Sequence, residues 1–409
     1  MGNGDELPQD LIVLVAKRIR LLEDFRAFSG VCRSWRSAAV MENFKGCSRV
    51  PWLMLAEEED EEEVEVEEEQ KEEEEKKKDG SRRFVWLTRG QGINPGMIQR
   101  FAVPEAKGKQ CVESIGWLVT MSEQGEMNLI HPFSHVQINL PHLNTYRYLE
   151  GDYPMENNYF FLQKAVLSSR PSTDDNDYVL MVICGEKSRL AFWRPGDKLW
   201  TTIVTRDGSF CDVTYYQGQF YGVNYEGQVF RCDVGGPDPT LAQHVGGISG
   251  VDVGGKRAYI VELAGRLLVI LRDGCDLTFL PGYVDQDIGG GRFFEDESTV
   301  DYGATEFLVF EVDINNKWTC SQITSLGDYA LFLGDNASIS VDVSKFPEVK
   351  PNCIYYTDDN SEPYEFYKRG GGKDMGIYNL EDRTRTPHYN GKQSLSPITP
   401  PIWVTPSFF

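Results

Sequence analysis

The chain has 409 residues, 63 acidic against 41 basic, and a formal net charge of −22. Its 41% apolar share supports a sizeable core and excludes global disorder, while the acidity argues against generic nucleic-acid binding, which needs a basic footprint. No run approaches the ~20 apolar residues that cross a bilayer, and the opening MGNGDELPQD lacks the basic and apolar regions of a secretory leader, so no membrane partner is expected.

Residues 7–45 read as helical. Leu11, Leu14, Val15, Arg18, Ile19 and Leu22 recur at three- and four-residue spacing, which makes one apolar helix face. Pro8 suits the first helical turn and Asp10 the positive end of the helix dipole. A second short helix holds Phe25 and Phe28, and Gly30 breaks it. A third runs through Val31, Cys32, Trp35, Ala38 and Ala39. So small a helical unit is weakly stable alone. Its apolar positions cover more than one face, which fits either a cap on a larger domain or a module that completes its core against another protein.

The residues of this region carry a resemblance. Leu7-Pro8-x-Asp10-Leu11-Ile12, then Leu21/Leu22, Phe25 and Val31-Cys32-Arg33-x-Trp35-Arg36 stand in the order and spacing of an F-box. The resemblance implies docking onto the SKP-family adaptor of a cullin-RING (SCF) ubiquitin ligase. It implies that Leu7, Pro8, Leu11, Ile12, Val15, Ile19, Leu22, Phe25, Val31 and Cys32 contribute to adaptor binding, and that Trp35 holds the three helices together as F-box core.

Residues 57–79 follow as a low-complexity run of 16 acidic residues and 4 lysines, a net charge of −12. The rest of the chain is −10. Like charges repel along most of the run, and only Glu72/Lys76, Glu73/Lys77 and Glu74/Lys78 pair at helical spacing. A disordered surface insertion between two strands, Trp52–Leu55 and Phe84–Thr88, is expected. A lure for basic partners is the functional alternative.

From residue 82 onward the chain alternates apolar strands with Gly- or Asn-bearing turns. Six hairpins are expected: Trp117–Met121 with Met127–Ile130, Tyr178–Cys184 with Leu190–Trp193, Gln219–Val223 with Gln228–Asp233, Arg257–Leu263 with Arg266–Leu271, Phe307–Val312 with Trp318–Ile323, and Tyr329–Leu333 with Ser338–Val341. Weak repetition appears: Phe192 and Trp200 are echoed by Phe310 and Trp318, and Tyr221/Gly227 by Tyr259/Gly265. A period near 40–50 residues in an all-β chain suggests propeller blades, about six or seven of them. Radial closure then leads Ile402–Thr405 back to the first blade.

This region resembles the KIB-type propeller of plant F-box proteins, on short motifs in order. They are Pro51-Trp52-Leu53-Met54-Leu55, His131-Pro132-Phe133-Ser134 with Ile138-x-Leu140-Pro141, Gly327-Asp328-x-Ala330-Leu331-Phe332-Leu333-Gly334, Asn352-x-Ile354-Tyr355-Tyr356, Met375-Gly376-Ile377-Tyr378 and Pro401-x-Trp403. The kelch pattern is echoed only in part.

Catalytic and metal-binding chemistry is sparse. His131, His135 and His142 are separated by Pro132 and Pro141, so no helical HxxxH face forms. No HExxH, GxSxG or P-loop occurs. Nine cysteines stand singly with no CxxC, as buried thiols of a reducing compartment do. The glycine triplets 289–291 and 370–372 and the pairs Asp174-Asp175 and Asp358-Asp359 read as loops and loop tips. No catalytic, cofactor-binding or metal-binding residue is assigned. Loops around Arg292–Phe294 and Tyr364–Lys368 are guesses for substrate contact.

The expected fold class is α+β multidomain: a small N-terminal three-helix F-box followed by an all-β propeller. The expected division is a tail at 1–6, the F-box at 7–46, a connector and first strand at 47–56, the disordered acidic insertion at 57–81 and the propeller at 82–409. The resemblance implies a non-catalytic substrate-recognition subunit of a ubiquitin ligase, reaching cullin and RING subunits through the adaptor and binding an unknown protein substrate. No cofactor is implied, and the nucleus and/or cytoplasm is the expected location. The alternative is a scaffold or decoy acting outside the ligase.

Overall fold

The computed structural model describes residues 7–19, 22–39, 43, 50–57, 81–85, 98–147, 161–171, 177–205, 208–274, 278–279, 300–315, 320–360, 372–389, 396 and 398–407. The acidic run beyond Glu57, both guessed substrate loops, the pair Asp174-Asp175, both glycine triplets except Gly372, and Trp318 lie outside these residues.

Among the described residues the strands form six blades of four or five strands and a separate two-stranded pair, Thr278–Phe279 with Val300–Asp301. Every expected hairpin is present, and the number of blades falls at the lower of the two values expected. Innermost strand first, blade 2 runs Gln110–Ser114, Trp117–Met121, Met127–His131, Val136–Asn139. Blade 3 opens on Leu162–Leu167, blade 4 on Phe210–Tyr216 and blade 5 on Arg257–Leu263. Three of the hairpins that leave an inner strand turn on a pair with positive φ: Ile115-Gly116, Gln217-Gly218 and Ala264-Gly265. Two consecutive left-handed residues match the right-handed twist of the flanking strands, and glycine takes the second place without strain.

One sequence correspondence fails at this point. Gly265 lies in the turn after the first strand of blade 5, whereas Gly227 lies in the turn after the second strand of blade 4. Tyr221/Gly227 and Tyr259/Gly265 are therefore not equivalent positions. Phe192 and Phe310 are equivalent, each on the third strand of its blade.

Blade 1 is built from both ends of the propeller sequence. Ile402–Val404 pairs antiparallel with Trp52–Met54, with Trp52 opposite Val404, Leu53 opposite Trp403 and Met54 opposite Ile402. Trp52–Met54 pairs in turn with Ser81–Val85, so the acidic run is an insertion between two adjacent strands of this blade. Trp403 is fully buried against Phe332 and His388, ring centroids 5.0 Å away in each case.

Blade 6 breaks the pattern. Its order is Ile339–Asp342, Tyr329–Leu333, Cys353–Tyr356, Gly376–Asn379, Arg385–Thr386, and the second and third strands are parallel. The chain enters at the second strand, turns inward to the first, and then crosses to the third. The inward turn, Gly334–Ser338, is thereby delivered to the propeller axis.

Three helices precede the propeller: α1 (Gln9–Ala16), α2 (Leu22–Gly30) and α3 (Arg33–Ala38). Ile12, Ala16, Phe25, Phe28 and Ala38 are buried, in one apolar cluster with Trp52, Met54, Phe84 and Phe133 of blades 1 and 2. No helix among the described residues is long and apolar enough to cross a membrane.

Closure by the last strand sets a prediction. Trp403→Ala removes the largest side chain of the seam between blades 6 and 1 and leaves a cavity. It is expected to lower unfolding free energy by about 3–5 kcal/mol, read from a denaturant midpoint; a loss under ~1 kcal/mol contradicts the closure role.

Candidate interaction site: the plugged hub and the helical face

The inner strands begin on one face of the propeller and end on the other. Gln110 at the start of blade 2 donates to Leu162 O at the start of blade 3, and at the far ends Leu167 N donates to Ser114 Oγ, 2.9 Å. Each inner strand of blades 2 to 4 carries one charged residue within an apolar run: Glu113, Lys164 and Asp212, all fully buried.

Gly334–Ser338 crosses between them. Ala337 N donates to Glu113 O of blade 2, 2.7 Å. Lys164 of blade 3 donates to Gly334 O and, at 3.1 Å, to Asn336 O. Ser338 Oγ donates to Asp212 Oδ2 of blade 4, 2.5 Å. The segment thus plugs the axis and touches blades on three sides of it. Asp212 also accepts from Val213 N and Ile260 N, and its Oδ1 lies 3.5 Å from Lys164 Nζ.

Beside the plug lies a second charged layer. Arg272, 1% exposed, ends the second strand of blade 5 and stacks over the Tyr356 ring at 4.9 Å. It donates to Tyr259 OH (3.1 Å), Thr357 O (3.1 Å), Asp359 Oδ1 (3.0 Å) and Asp374 Oδ2. Asp358 Oδ2 accepts from Tyr302 OH and from Gly372 N and Lys373 N, at 2.5, 2.8 and 3.0 Å. Asp358 and Asp359 are therefore interior residues, not the loop tip that their acidic, polar neighbourhood suggests. The reason is tertiary: the arginine that compensates Asp359 stands 87 residues earlier in the chain.

The electrostatics follow from burial and pairing. Burial opposes ionisation of Asp359, but Arg257, Arg272 and Lys164 overcome it and hold the carboxyl below its usual range. Burial and the neighbouring Asp374 push Asp358 upward. Burial, followed by repulsion from Asp359, raises Asp335 to about 7 against the pull of Arg257 and Lys164. Burial also raises Cys211 and Cys232 to about 12, so these thiols stay protonated and unreactive at neutral pH. The described cysteines are all free.

The histidines of the 131–142 segment serve local structure. His131 Nε2 hydrogen-bonds Ser407 Oγ at 2.9 Å, His142 Nδ1 accepts from Asn144 N, and His135 faces Glu105 at 3.3 Å. Among the described residues no three His, Cys, Asp or Glu side chains group as metal ligands.

The helices present a different surface. Leu7, Pro8, Leu11, Val15, Val31 and Cys32 are exposed, and Leu14, at 52%, joins them. Ile12 and Phe25, each 1% exposed, face inward and serve packing instead. Ile19 is half-buried, and the Leu22 side chain lies outside the described residues. Trp35 meets Phe28 at 4.6 Å, and Gln9 Nε2 donates to Ser37 Oγ at 2.9 Å, which ties α1 to α3.

The six-bladed ring, its closing strand and this N-terminal helical region can now be set beside known proteins. The sequence profile of the KIB1-4 β-propeller matches residues 92–379. The chain belongs to the KIB1-4 β-propeller family. This KIB-type chain is 23% identical to F-box protein SKIP23 of Arabidopsis thaliana, over 94% of its own length and 88% of the relative's. It is 23% identical to F-box protein At2g17036 of the same plant, over 98% and 94%. Among solved structures, a chain of a nidogen/laminin complex overlaps 85% of this chain and 96% of its own at a TM-score of 0.41 and 7% identity. The F-box names agree with the resemblance carried by residues 7–46.

Sequence reasoning missed the hub of the KIB propeller. The signal was a lone charge inside an apolar strand: Glu113 in QCVES, Lys164 in LQKAVL and Asp212 in FCDVTYY.

Two predictions arise here. Glu113 accepts from Gly116 N and Thr405 N, yet burial outweighs these bonds and raises it from 4.5 to about 7. Between those values the folded chain keeps a proton that the unfolded chain has released, so this carboxyl's stabilising contribution is full at low pH and falls by about 3 kcal/mol as pH rises to 7. His388, lowered to about 4 by burial, works oppositely below pH 6.5. The difference in unfolding free energy between wild type and Glu113→Gln isolates the first effect; a difference that is flat from pH 4.5 to 7 contradicts it. Second, Arg272→Met leaves Asp359 and Asp374 buried without their shared partner and is expected to cost about 3–5 kcal/mol in the same measurement.

Proposed function

We propose that this chain is the substrate-recognition subunit of an SCF-type ubiquitin ligase. The observation that carries the reading is the apolar surface that the helices leave uncovered. Leu7, Leu11, Leu14, Val15 and Val31 are each at least 40% exposed, on or beside short helices whose opposite side is already packed. A surface of this kind marks a protein interface. The F-box resemblance of the same residues and the F-box names of the relatives point to an SKP-family adaptor, and through it to cullin and RING subunits, as what covers it.

On this reading the chain performs no bond-making step. The helices attach the propeller to the ligase, and the propeller holds a protein whose lysines then meet the ubiquitin-charged enzyme at high local concentration. The nucleus and cytoplasm, where reduced cysteines persist, are the compartments proposed for it.

Co-purification with a plant SKP-family adaptor tests the reading. Leu7→Ala with Pro8→Ala, and separately Leu11→Asp, are expected to weaken the complex about tenfold or more while leaving the thermal midpoint unchanged, because these side chains are exposed. Ile12→Asp is expected to lose the complex through unfolding of the helices. Wild-type protein that is folded yet binds no adaptor, or a Leu11→Asp variant that binds normally, rejects the proposal.

A further inference from the structure

Two connections on the face where the inner strands begin are far longer than their counterparts. In blades 2, 3 and 4 the second and third strands are joined by residues 122–126, 185–188 and 225–227. In blade 5 the same join takes residues 273–306, and in blade 6 residues 357–375 link the third and fourth strands. Connections of that length are uncommon in a compact domain and usually serve a function. The described residues at their roots bond to one another across the seam between the two blades.

In blade 5 the strand ladder continues into the connection. Asp273 N donates to Glu306 O and Thr305 N to Asp273 O, both at 2.9 Å, and Gly303 N donates to Gly274 O at 2.8 Å. Gly274 has φ +86°, and a Cβ there would clash with Gly303 O and lie 2.9 Å from Thr305 N, so the two limbs approach as closely as a glycine allows. In blade 6 a side chain joins the limbs instead. Asp358, just past the third strand, accepts from Gly372 N and Lys373 N on the returning limb.

Two aspartates then tie the roots together. Asp358 Oδ2 also accepts from Tyr302 OH of the blade 5 connection, at 2.5 Å. Asp374, on the returning limb of blade 6, binds both limbs of blade 5: Arg272 before the connection, and Ala304 N near its end at 2.7 Å. Arg385, in the outermost strand of blade 6, donates to Ala304 O. Asp358, Asp374, Arg272 and Ala304 are all buried. Hydrogen bonds to buried charges are strong, and opening one root alone would strand the charged partners that it shares with the other.

We propose that the roots of the two connections open as one cooperative unit, coupled by Asp358 and Asp374 and distinct from the rest of the ring. Folded chains open in contiguous units of this kind, each with its own opening free energy. A partner that fixes either connection then fixes the other, because coupling between two sites acts equally in both directions. The inference concerns the propeller alone and stands whether or not the helices bind an adaptor.

Amide hydrogen exchange on the full chain is the test. The amides of Gly303 and Thr305 report the blade 5 root, and those of Gly372 and Lys373 the blade 6 root. In the wild type the four are expected to have protection factors within about threefold of one another, and to lose protection together as denaturant is added below the global transition. Gly274→Ala forces a side chain onto positive φ, and its methyl meets Gly303 and Thr305 of the same connection. It is expected to lower protection about tenfold at Gly303 and Thr305, and equally at Gly372 and Lys373 in the other blade. The blade 2 strands Gln110–Ser114 and Trp117–Met121 are expected to keep theirs. A loss confined to Gly303 and Thr305 in the folded variant, or a loss spread evenly over every blade, overturns the proposal. So does a wild type whose two roots lose protection at different denaturant concentrations, a comparison that needs no variant to fold.

Discussion

The pairing of Ile402–Val404 with Trp52–Met54 is the constraint on which the rest of the propeller depends. A ring of blades has no free radial edge only if its two ends share a blade. Trp403 carries this closure into the apolar core through Phe332 and Tyr355 of blade 6. Glu113 carries it the other way, accepting from Thr405 N and so tying the segment after the last strand to blade 2. Two neighbouring blades are thus fastened to a strand that is the last to leave the chain's C-terminal region. The insertion of the acidic run between two strands of the same blade is compatible with this, because it lengthens a connection and leaves the paired strands intact.

Closure alone would leave an axial channel. The reversed order of blade 6 fills it, since the turn from the second strand to the first cannot avoid the axis. The floor so formed is polar because its contacts are mostly with backbone carbonyls and with the charges of the inner strands. Lys164 illustrates the logic: buried completely, it is held by two plug carbonyls, by Asp212, and by the face of Tyr259 at 5.4 Å. Buried pairs of this kind add little stability over apolar packing of equal volume. Their consequence is intolerance, because removing either partner strands the other.

The molecule therefore has two regions of opposite chemistry. The helices expose aliphatic side chains and bury Phe25 and Phe28, while the propeller axis holds a hub of paired charges. On the proposed reading the helices attach the chain to the ligase. Apolar contact gives a durable dock that depends little on salt.

Much of this was legible in the sequence. The two-residue periodicity, the glycine-bearing turns and the Val31-Cys32-Arg33-x-Trp35 run follow from local geometry, so hairpins, propeller class and helical region could be read directly, as could the return of the last strand. The exposure of Leu7, Leu11, Leu14 and Val15 against the burial of Ile12 and Phe25 could not, because helical spacing marks an apolar stripe without saying which part of it the rest of the chain covers. Nor could the parallel crossover of blade 6, since a hairpin and its reversal share one sequence pattern. The hub was hidden for a stronger reason. Glu113, Lys164, Asp212, Arg272 and Asp359 belong to five different blades, and their charges acquire partners only when the ring closes. Local sequence determined the strands; which charges meet at the axis was decided by closure, because pairing across an axis depends on distance in space and not on distance along the chain.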